Sequence, residues 1–250
     1  MKTKIYQTKH LRNLSVLAAF TALAPTAHSA LVFTSDFDSV IPAEITAGTA
    51  LITAVQDYSG LGPSGNAFGG SFLRSQTANV VTLQLTGLPT HSMVSLSLLF
   101  AAIDSLDGTG TFPQGDFFQI TLDSVMIFNE SFANATLSQI QSYVPPTGVE
   151  LARRIDLGFG GPGGFYTDSA YDLGADPLFS NIAHSASTLT LQFAIQGAGI
   201  QDLSDESWAM DQLTVTVNSI PEPSAALLGL CGLPLCFIRR VRRRESAGLI

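Results

Sequence analysis

Residues 117–128 read Phe-Phe-Gln-Ile-Thr-Leu-Asp-Ser-Val-Met-Ile-Phe, which is two mainly apolar runs separated by Asp123-Ser124. Alternating apolar and polar side chains predict a strand with one buried face, and a two-residue connection of turn-forming residues predicts a hairpin. The same alternation recurs at 80–86, 94–100, 189–195 and 213–217. The chain therefore contains many antiparallel strands.

No segment shows a helical period of comparable strength, although residues 135–144 are compatible with one short helix. The 22 glycines and 12 prolines fit a fold with many turns. We therefore predict an all-β fold, an antiparallel two-sheet sandwich of jelly-roll-like type. The predicted body spans residues 30–218, which is long enough for a single domain with a sizeable core.

Charge divides the chain sharply. Residues 31–220 contain three arginines, no lysine and eighteen of the twenty acids, so their formal net charge is −15. Such a surface repels phosphate backbones, which argues against nucleic acid as a partner and suits cations or neutral glycans. Both cysteines, Cys231 and Cys236, lie near the C-terminus, so the body has no disulfide and no thiol nucleophile.

The two ends of the chain have the patterns of export signals. Residues 1–13 are basic, an apolar run follows at 14–23, and Ala27 and Ser29 are small residues at the spacing that precedes cleavage before Ala30. This order predicts a secretory signal peptide at 1–29, removed by signal peptidase, with Ala30–Leu31 as an alternative cleavage point.

The C-terminal segment, residues 219–244, contains three features in order. A Pro-Glu-Pro-Ser motif precedes an uncharged apolar run at 225–238, which is short for a full membrane span, and an arginine cluster then comes before the tail at 245–250. The motif residues are Pro221, Glu222, Pro223 and Ser224, and the flanking arginines are Arg239, Arg240, Arg242, Arg243 and Arg244.

This segment resembles the PEP-CTERM sorting signal of Gram-negative bacteria. The resemblance implies transient insertion of a short apolar helix in the inner membrane, cleavage near Pro-Glu-Pro by an exosortase, and transfer to the cell surface or an exopolysaccharide matrix. A plain C-terminal transmembrane anchor is the alternative. Residues 170–217 are also similar to the closing hairpin of extracellular PEP-CTERM domains of lectin-like build.

Two groups of acids are candidate Ca²⁺ ligands, because clustered carboxylates supply the hard oxygens that this ion prefers. The first is Asp104, Asp107 and Asp116 in the connection between two strands. The second is Asp36 and Asp38 of the first strand with Asp211 of the last, where jelly-roll modules often hold an ion. Turn formation and solvation are the alternative roles of these acids.

A glycine-rich loop at 158–168 contains Phe165 and Tyr166, which are candidate platforms for stacking on a sugar. The single tryptophan, Trp208, alternates with Met210, so we predict a core position for it. The sequence therefore favours an exported, non-enzymatic surface or matrix protein. A Ca²⁺-dependent lectin-like module that binds exopolysaccharide is the first alternative, and a secreted glycan-active enzyme is the second.

Overall fold

The computed structural model describes residues 28–109, 115–160 and 166–219. These residues form an all-β structure with no α-helix, as predicted. The strands are β1 (His28–Ser35), β2 (Ile45–Thr46), β3 (Leu51–Ala54), β4 (Ser71–Gln76), β5 (Val81–Thr86), β6 (His91–Asp104), β7 (Phe117–Leu122), β8 (Val125–Ser131), β9 (Glu150–Ile155), β10 (Asp168–Asp172), β11 (Ile182–Ala183), β12 (Thr188–Gln196) and β13 (Glu206–Ser219). Single turns of 3₁₀ helix lie at Gln56–Tyr58, Leu173–Ala175 and Pro177–Phe179.

The strands form two antiparallel sheets, which confirms the sandwich. The larger sheet has the order β3-β4-β13-β6-β10-β9, with β1 added beside β13 and β11 beside β6. The smaller sheet has the order β2-β5-β12-β7-β8. The predicted hairpin is confirmed as β7 and β8, and both residues of its turn have positive φ, 48° at Asp123 and 69° at Ser124.

The two longest strands, β6 and β13, pair along the centre of the larger sheet. The register of β13 shifts between Asp211 and Thr214, where Gln212 has a φ of 49°. The first half of β13 pairs with β4, and the second half pairs with β1. The shift therefore lets one strand pair with two different neighbours on the same edge.

The main core lies between the sheets. Trp208 is fully buried, as predicted, and its ring lies 5.3 Å from that of Phe118 in the opposite sheet. Trp208 and Met210 belong to this core, whereas Ala209 between them faces the other side of the larger sheet. This is the period-2 alternation that the sequence predicts.

The outer face of the larger sheet is also covered, which the alternation does not predict. Residues 98–104 of β6 are buried on both faces. The cover is a second apolar cluster formed by the loops near residues 55–68 and 157–159. Tyr58, Phe68 and Phe159 of these loops pack against Phe72 of β4. The hydroxyl of Tyr58 donates to the carbonyl of Ala102 at 3.1 Å.

The helix expected at 135–144 does not form, and this expectation was wrong. Carbonyl groups in and just before this segment accept hydrogen bonds from Arg154 and not from helical amides. The Arg154 guanidinium donates to the carbonyls of Ala133 at 2.8 Å and Gln139 at 2.5 Å. The segment is an irregular connection with buried Gln139, Gln141 and Tyr143.

The export signals fall largely outside the described residues. The signal peptide up to Ala27, the Pro-Glu-Pro-Ser motif, the apolar helix and the arginine cluster are all outside them, as is Phe165. Strand β1 begins at His28, two residues before the predicted cleavage point. Within the part of the chain that is described, no helix has the length and apolar character needed to cross a membrane.

Candidate ligand-binding surfaces and acid clusters

The solvent-facing side of the smaller sheet has a shallow groove with a volume of about 430 Å³ across β7 and β12. Its lining is uncharged: Val80, Gln119, Thr121, Gln192, Ala194 and Gln196. These residues alternate along their strands with core residues such as Phe118, Ile120 and Phe193, so the pleat points them outward. The groove therefore presents three side-chain amides, of Gln119, Gln192 and Gln196, and the one hydroxyl of Thr121.

Hydrogen bonds within this surface orient the amides. The Thr121 hydroxyl donates to the Gln192 side-chain oxygen at 3.3 Å, and the Gln119 amide nitrogen donates to the Asn129 side-chain oxygen at 3.1 Å. Each amide keeps further donor and acceptor capacity for a ligand.

A second cavity, of about 590 Å³, lies on the outer face of the larger sheet. It is lined by Gln56, Arg74, Asp104, Gly158, Phe159, Gly160, Leu203 and Ser204. The Arg74 guanidinium carbon lies 4.5 Å from the centre of the Phe159 ring, and the side chain donates to the Ser207 hydroxyl at 2.9 Å and the Leu203 carbonyl at 3.0 Å. The Arg74 guanidinium is thus already bonded to groups of this chain.

Asp104 lies at the base of this cavity with its carboxylate 3.6 Å from Arg74. Burial and the neighbouring charge of Asp168 nevertheless raise the pKa of Asp104 to about 7. Asp168 is fully buried and accepts the amides of Asp104 at 2.9 Å and Leu157 at 2.8 Å, and burial raises its pKa to about 6. Of the three predicted loop acids, Asp104 therefore points away from the other two.

Tyr166, a candidate stacking residue, is half-buried. Burial and a hydrogen bond from its hydroxyl to Asp205 raise its pKa. Its hydroxyl is thus engaged with an acid of this chain.

The other two loop acids, Asp107 and Asp116, meet Glu206 rather than Asp104. One carboxylate oxygen from each of the three lies within 4.8 Å of the others, and among the described residues no further group of three or more potential ligands satisfies this criterion. We call these three residues the buried acid cluster. The Asp107 amide donates to Asp116 Oδ2 at 2.7 Å, and the Gln139 side-chain amide donates to Asp107 Oδ1.

Electrostatics in the buried acid cluster disfavour three negative charges. Burial, followed by the charge of Asp116, raises the pKa of Glu206 to about 9. Burial also raises the pKa of Asp116 to about 6 and, by a smaller amount, the pKa of Asp107. The cluster must therefore hold a proton or a cation near neutral pH.

The strand-pair acids have a different arrangement, in which backbone amides are the main partners. Asp38 Oδ1 accepts the amides of Gly70 and Ser71 at 2.8 Å, and Asp211 Oδ2 accepts that of Gly69 at 2.8 Å. Asp36 accepts the amide of Asp38 at 3.1 Å. Burial, with the charges of Asp38 and Asp36 added, raises the pKa of Asp211 to about 6.

Sequence reasoning did not name Glu206, Asp168 or Arg74 as functional residues. A signal for Glu206 was present, since it lies two residues before Trp208 and so shares its buried face. Asp168 and Arg74 give no local signal, because their partners come from distant segments.

Comparisons with protein families give no matching family model, and no curated protein matches the chain. Solved structures do align. The catalytic domain of a GH87 alpha-1,3-glucanase in complex with tetrasaccharides is 15% identical with a TM-score of 0.29, over 81% of this chain and 30% of that one. The CBM22-1 and GH10 modules of endo-1,4-beta-D-xylanase 10B from Clostridium thermocellum are 12% identical with a TM-score of 0.29, over 78% and 30%.

SGBP-B, from a complex xyloglucan utilization locus in Bacteroides uniformis, is 15% identical with a TM-score of 0.26, over 68% of this chain and 45% of that one. The chain thus spans less than half the length of each of these structures. At such identities and TM-scores the likenesses assign no activity.

Proposed function

We propose that this chain is an exported, non-enzymatic surface or matrix protein whose β-sandwich binds a neutral polysaccharide. The observation that supports binding is the uncharged groove on the smaller sheet. Its three glutamine amides and the Thr121 hydroxyl offer both donors and acceptors to sugar hydroxyls, and the neutral lining suits a neutral chain of sugars. An acidic polysaccharide would be repelled by a body with a net charge of −15.

The lining of the groove also favours binding over hydrolysis. Glycosidases generally need two carboxyl groups that face each other across the scissile bond. Among the described residues, the groove lining contains no acid, and the lining of the cavity on the other face contains only Asp104, which is ion-paired with Arg74. Because the groove lacks carboxylates, we also propose that any bound cation acts on the fold and does not bridge to the sugar.

Delivery to the surface follows from the two terminal signals. The basic and apolar N-terminus would engage signal peptidase, and the Pro221-Glu222-Pro223 motif with its arginine cluster would engage an exosortase. The mature protein would then lack residues after about Ser224 and remain at the surface or in the exopolysaccharide matrix of a Gram-negative cell.

The binding proposal is tested by affinity electrophoresis of the full chain through gels with neutral or acidic polysaccharides, with and without chelator. We expect retardation by at least one neutral polysaccharide, unchanged by chelator. Gln192→Ala should weaken binding roughly five- to tenfold, which corresponds to about 1–1.4 kcal/mol. Gln56→Ala, in the other cavity, is the matched control and should bind normally. Equal losses in both variants, or no retardation of the wild type, would overturn the proposal.

A further inference from the structure

The buried acid cluster joins the two sheets at one end of the sandwich. Glu206 is the first residue of β13 in the larger sheet, and Asp116 directly precedes β7 in the smaller sheet. Asp107 lies in the connection that leads from β6 to β7. Glu206 shares its face with Trp208, and Asp116 shares its face with Phe118, so both acids point into the space between the sheets.

Two oxygens in this cluster accept no hydrogen bond from an amide or hydroxyl donor. Asp116 and Glu206 are both 0% exposed, and Asp116 Oδ1 and Glu206 Oε1 have no such donor, although the two carboxyl groups lie within hydrogen-bonding reach of each other. The second oxygen of each is satisfied, by the amide of Asp107 at 2.7 Å and by the amide of Gln201 at 2.8 Å. Buried carboxylate oxygens are almost always paired, so these two oxygens need either a proton shared between the carboxyl groups or a cation.

No basic side chain in the described part of the protein supplies a counter-charge. The ion pairs within the described part of the chain join Arg74 to Asp104, Arg153 to Glu150 and His184 to Asp123. None of them reaches the cluster. Three carboxylates in an enclosed space without a counter-charge are strongly unfavourable, and either a cation or a shared proton between Asp116 and Glu206 would relieve the repulsion.

We propose that Asp107, Asp116 and Glu206 bind a calcium ion that ties the two sheets together. Ca²⁺ takes oxygen ligands at about 2.3–2.6 Å, so two ligands on opposite sides of the ion lie up to about 5 Å apart. One oxygen from each of the three residues lies within 4.8 Å of the others, which is inside this span. Ca²⁺ also tolerates irregular geometry, whereas Mg²⁺ requires a near-ideal octahedron and retains several waters.

Trp208 provides a direct probe of the site. It is the only tryptophan in the chain, and it lies two residues from Glu206 on the same strand face, about 6.6 Å along the strand. Tb³⁺, which substitutes for Ca²⁺ at oxygen sites, should show luminescence sensitised by Trp208 in the full chain. Ca²⁺ should displace it, and Mg²⁺ should do so far less well.

Thermal melting separates a cation from a shared proton. Millimolar Ca²⁺ should raise the melting temperature of the wild type more than NaCl at matched ionic strength does. Glu206→Gln and Asp107→Asn should lose this shift and at least tenfold in Tb³⁺ affinity. Glu206→Gln should nevertheless melt in chelator at or above the wild-type temperature, because the amide is neutral without the proton that buried Glu206 must take up on folding. This result also shows that the variant folds.

Asp211→Asn is the matched control, since Asp211 is equally buried but faces the other side of β13, and it should keep both signals. Loss of the Ca²⁺ shift in Asp211→Asn with retention in Glu206→Gln would move the site to the strand-pair acids and overturn the proposal. A wild-type shift fully reproduced by NaCl, without sensitised luminescence, would mean that Asp116 and Glu206 share a proton. Competition by Mg²⁺ equal to that by Ca²⁺ would overturn the assignment to calcium.

Discussion

At the scale of single residues, the buried acids of this protein act mainly as acceptors for backbone amides. Asp168 accepts two amides, one from the end of β6 and one from Leu157 in the loop after β9. It therefore joins the central strand of the larger sheet to the loop that covers its outer face. Buried amides that lose their acceptor are costly, so such acids are structural even where they lie near a cavity.

Asp168→Ala should lower the free energy of unfolding by about 2–6 kcal/mol, because two amides lose their acceptor at about 1–3 kcal/mol each. Chemical denaturation monitored by Trp208 fluorescence measures the loss. Asp156→Ala is the control, since Asp156 is exposed and accepts only the amide of Gly158 at 2.9 Å. A loss no larger than that of the control would show that the two amides find other acceptors.

At the scale of elements, the β7–β8 hairpin shows what a local pattern predicts well. Two alternating runs and a two-residue spacer specify both strands and their register, because the information lies within twelve consecutive residues. The first half of β13 is different. Alternation predicts the last strand at 213–217, and before it only Trp208 and Met210 alternate, within a stretch rich in acids. Pairing with both β4 and β6 makes residues 206–211 a strand, and no local signal records those neighbours.

Ser124→Gly should stabilise the hairpin, because Ser124 has a φ of 69° and glycine adopts this conformation without a steric cost. We expect a gain of roughly 0.5–1 kcal/mol in the free energy of unfolding. The control is Ser187→Gly, at an exposed loop position outside the positive-φ region, where glycine should be neutral or slightly destabilising. A loss of stability in Ser124→Gly would contradict the turn geometry.

At the scale of the whole molecule, the sandwich has two cores, and the sequence predicts only one of them. The inter-sheet core follows from strand alternation. The outer cluster of Tyr58, Phe68, Phe72 and Phe159 depends on loops that fold back over the sheet. The alternation of apolar and polar residues predicts strands but not the path of a loop. The same limit applies to the acids: composition predicts carboxylate clusters, but only the fold pairs Asp107 and Asp116 with Glu206 and directs Asp104 to Arg74.

Burial of so many acids gives the molecule an unusual dependence on pH. Burial raises the pKa to about 7 for Asp104 and to about 6 for Asp168 and Asp211. An unfolded Asp titrates near 3.9, so between about pH 4 and 7 the folded state binds more protons than the unfolded state. The free energy of unfolding therefore falls as pH rises through this range. The stabilisation is complete below about pH 4 and is lost as pH passes the folded-state pKa values.

We accordingly expect the melting temperature, measured in chelator at constant ionic strength, to fall by several degrees between pH 5 and pH 8. Asp104→Asn should flatten the part of this decrease between pH 6 and 8, because Asp104 has a pKa nearer 7 than Asp168 and Asp211 have. The variant should also melt above the wild type at pH 8. Asp57→Asn removes one exposed charge and should leave the slope unchanged. A melting temperature that rises from pH 5 to pH 8 would contradict this expectation. Such a rise occurs when native carboxylates are stabilised in their charged form, and it would show that burial does not dominate the titration of these acids.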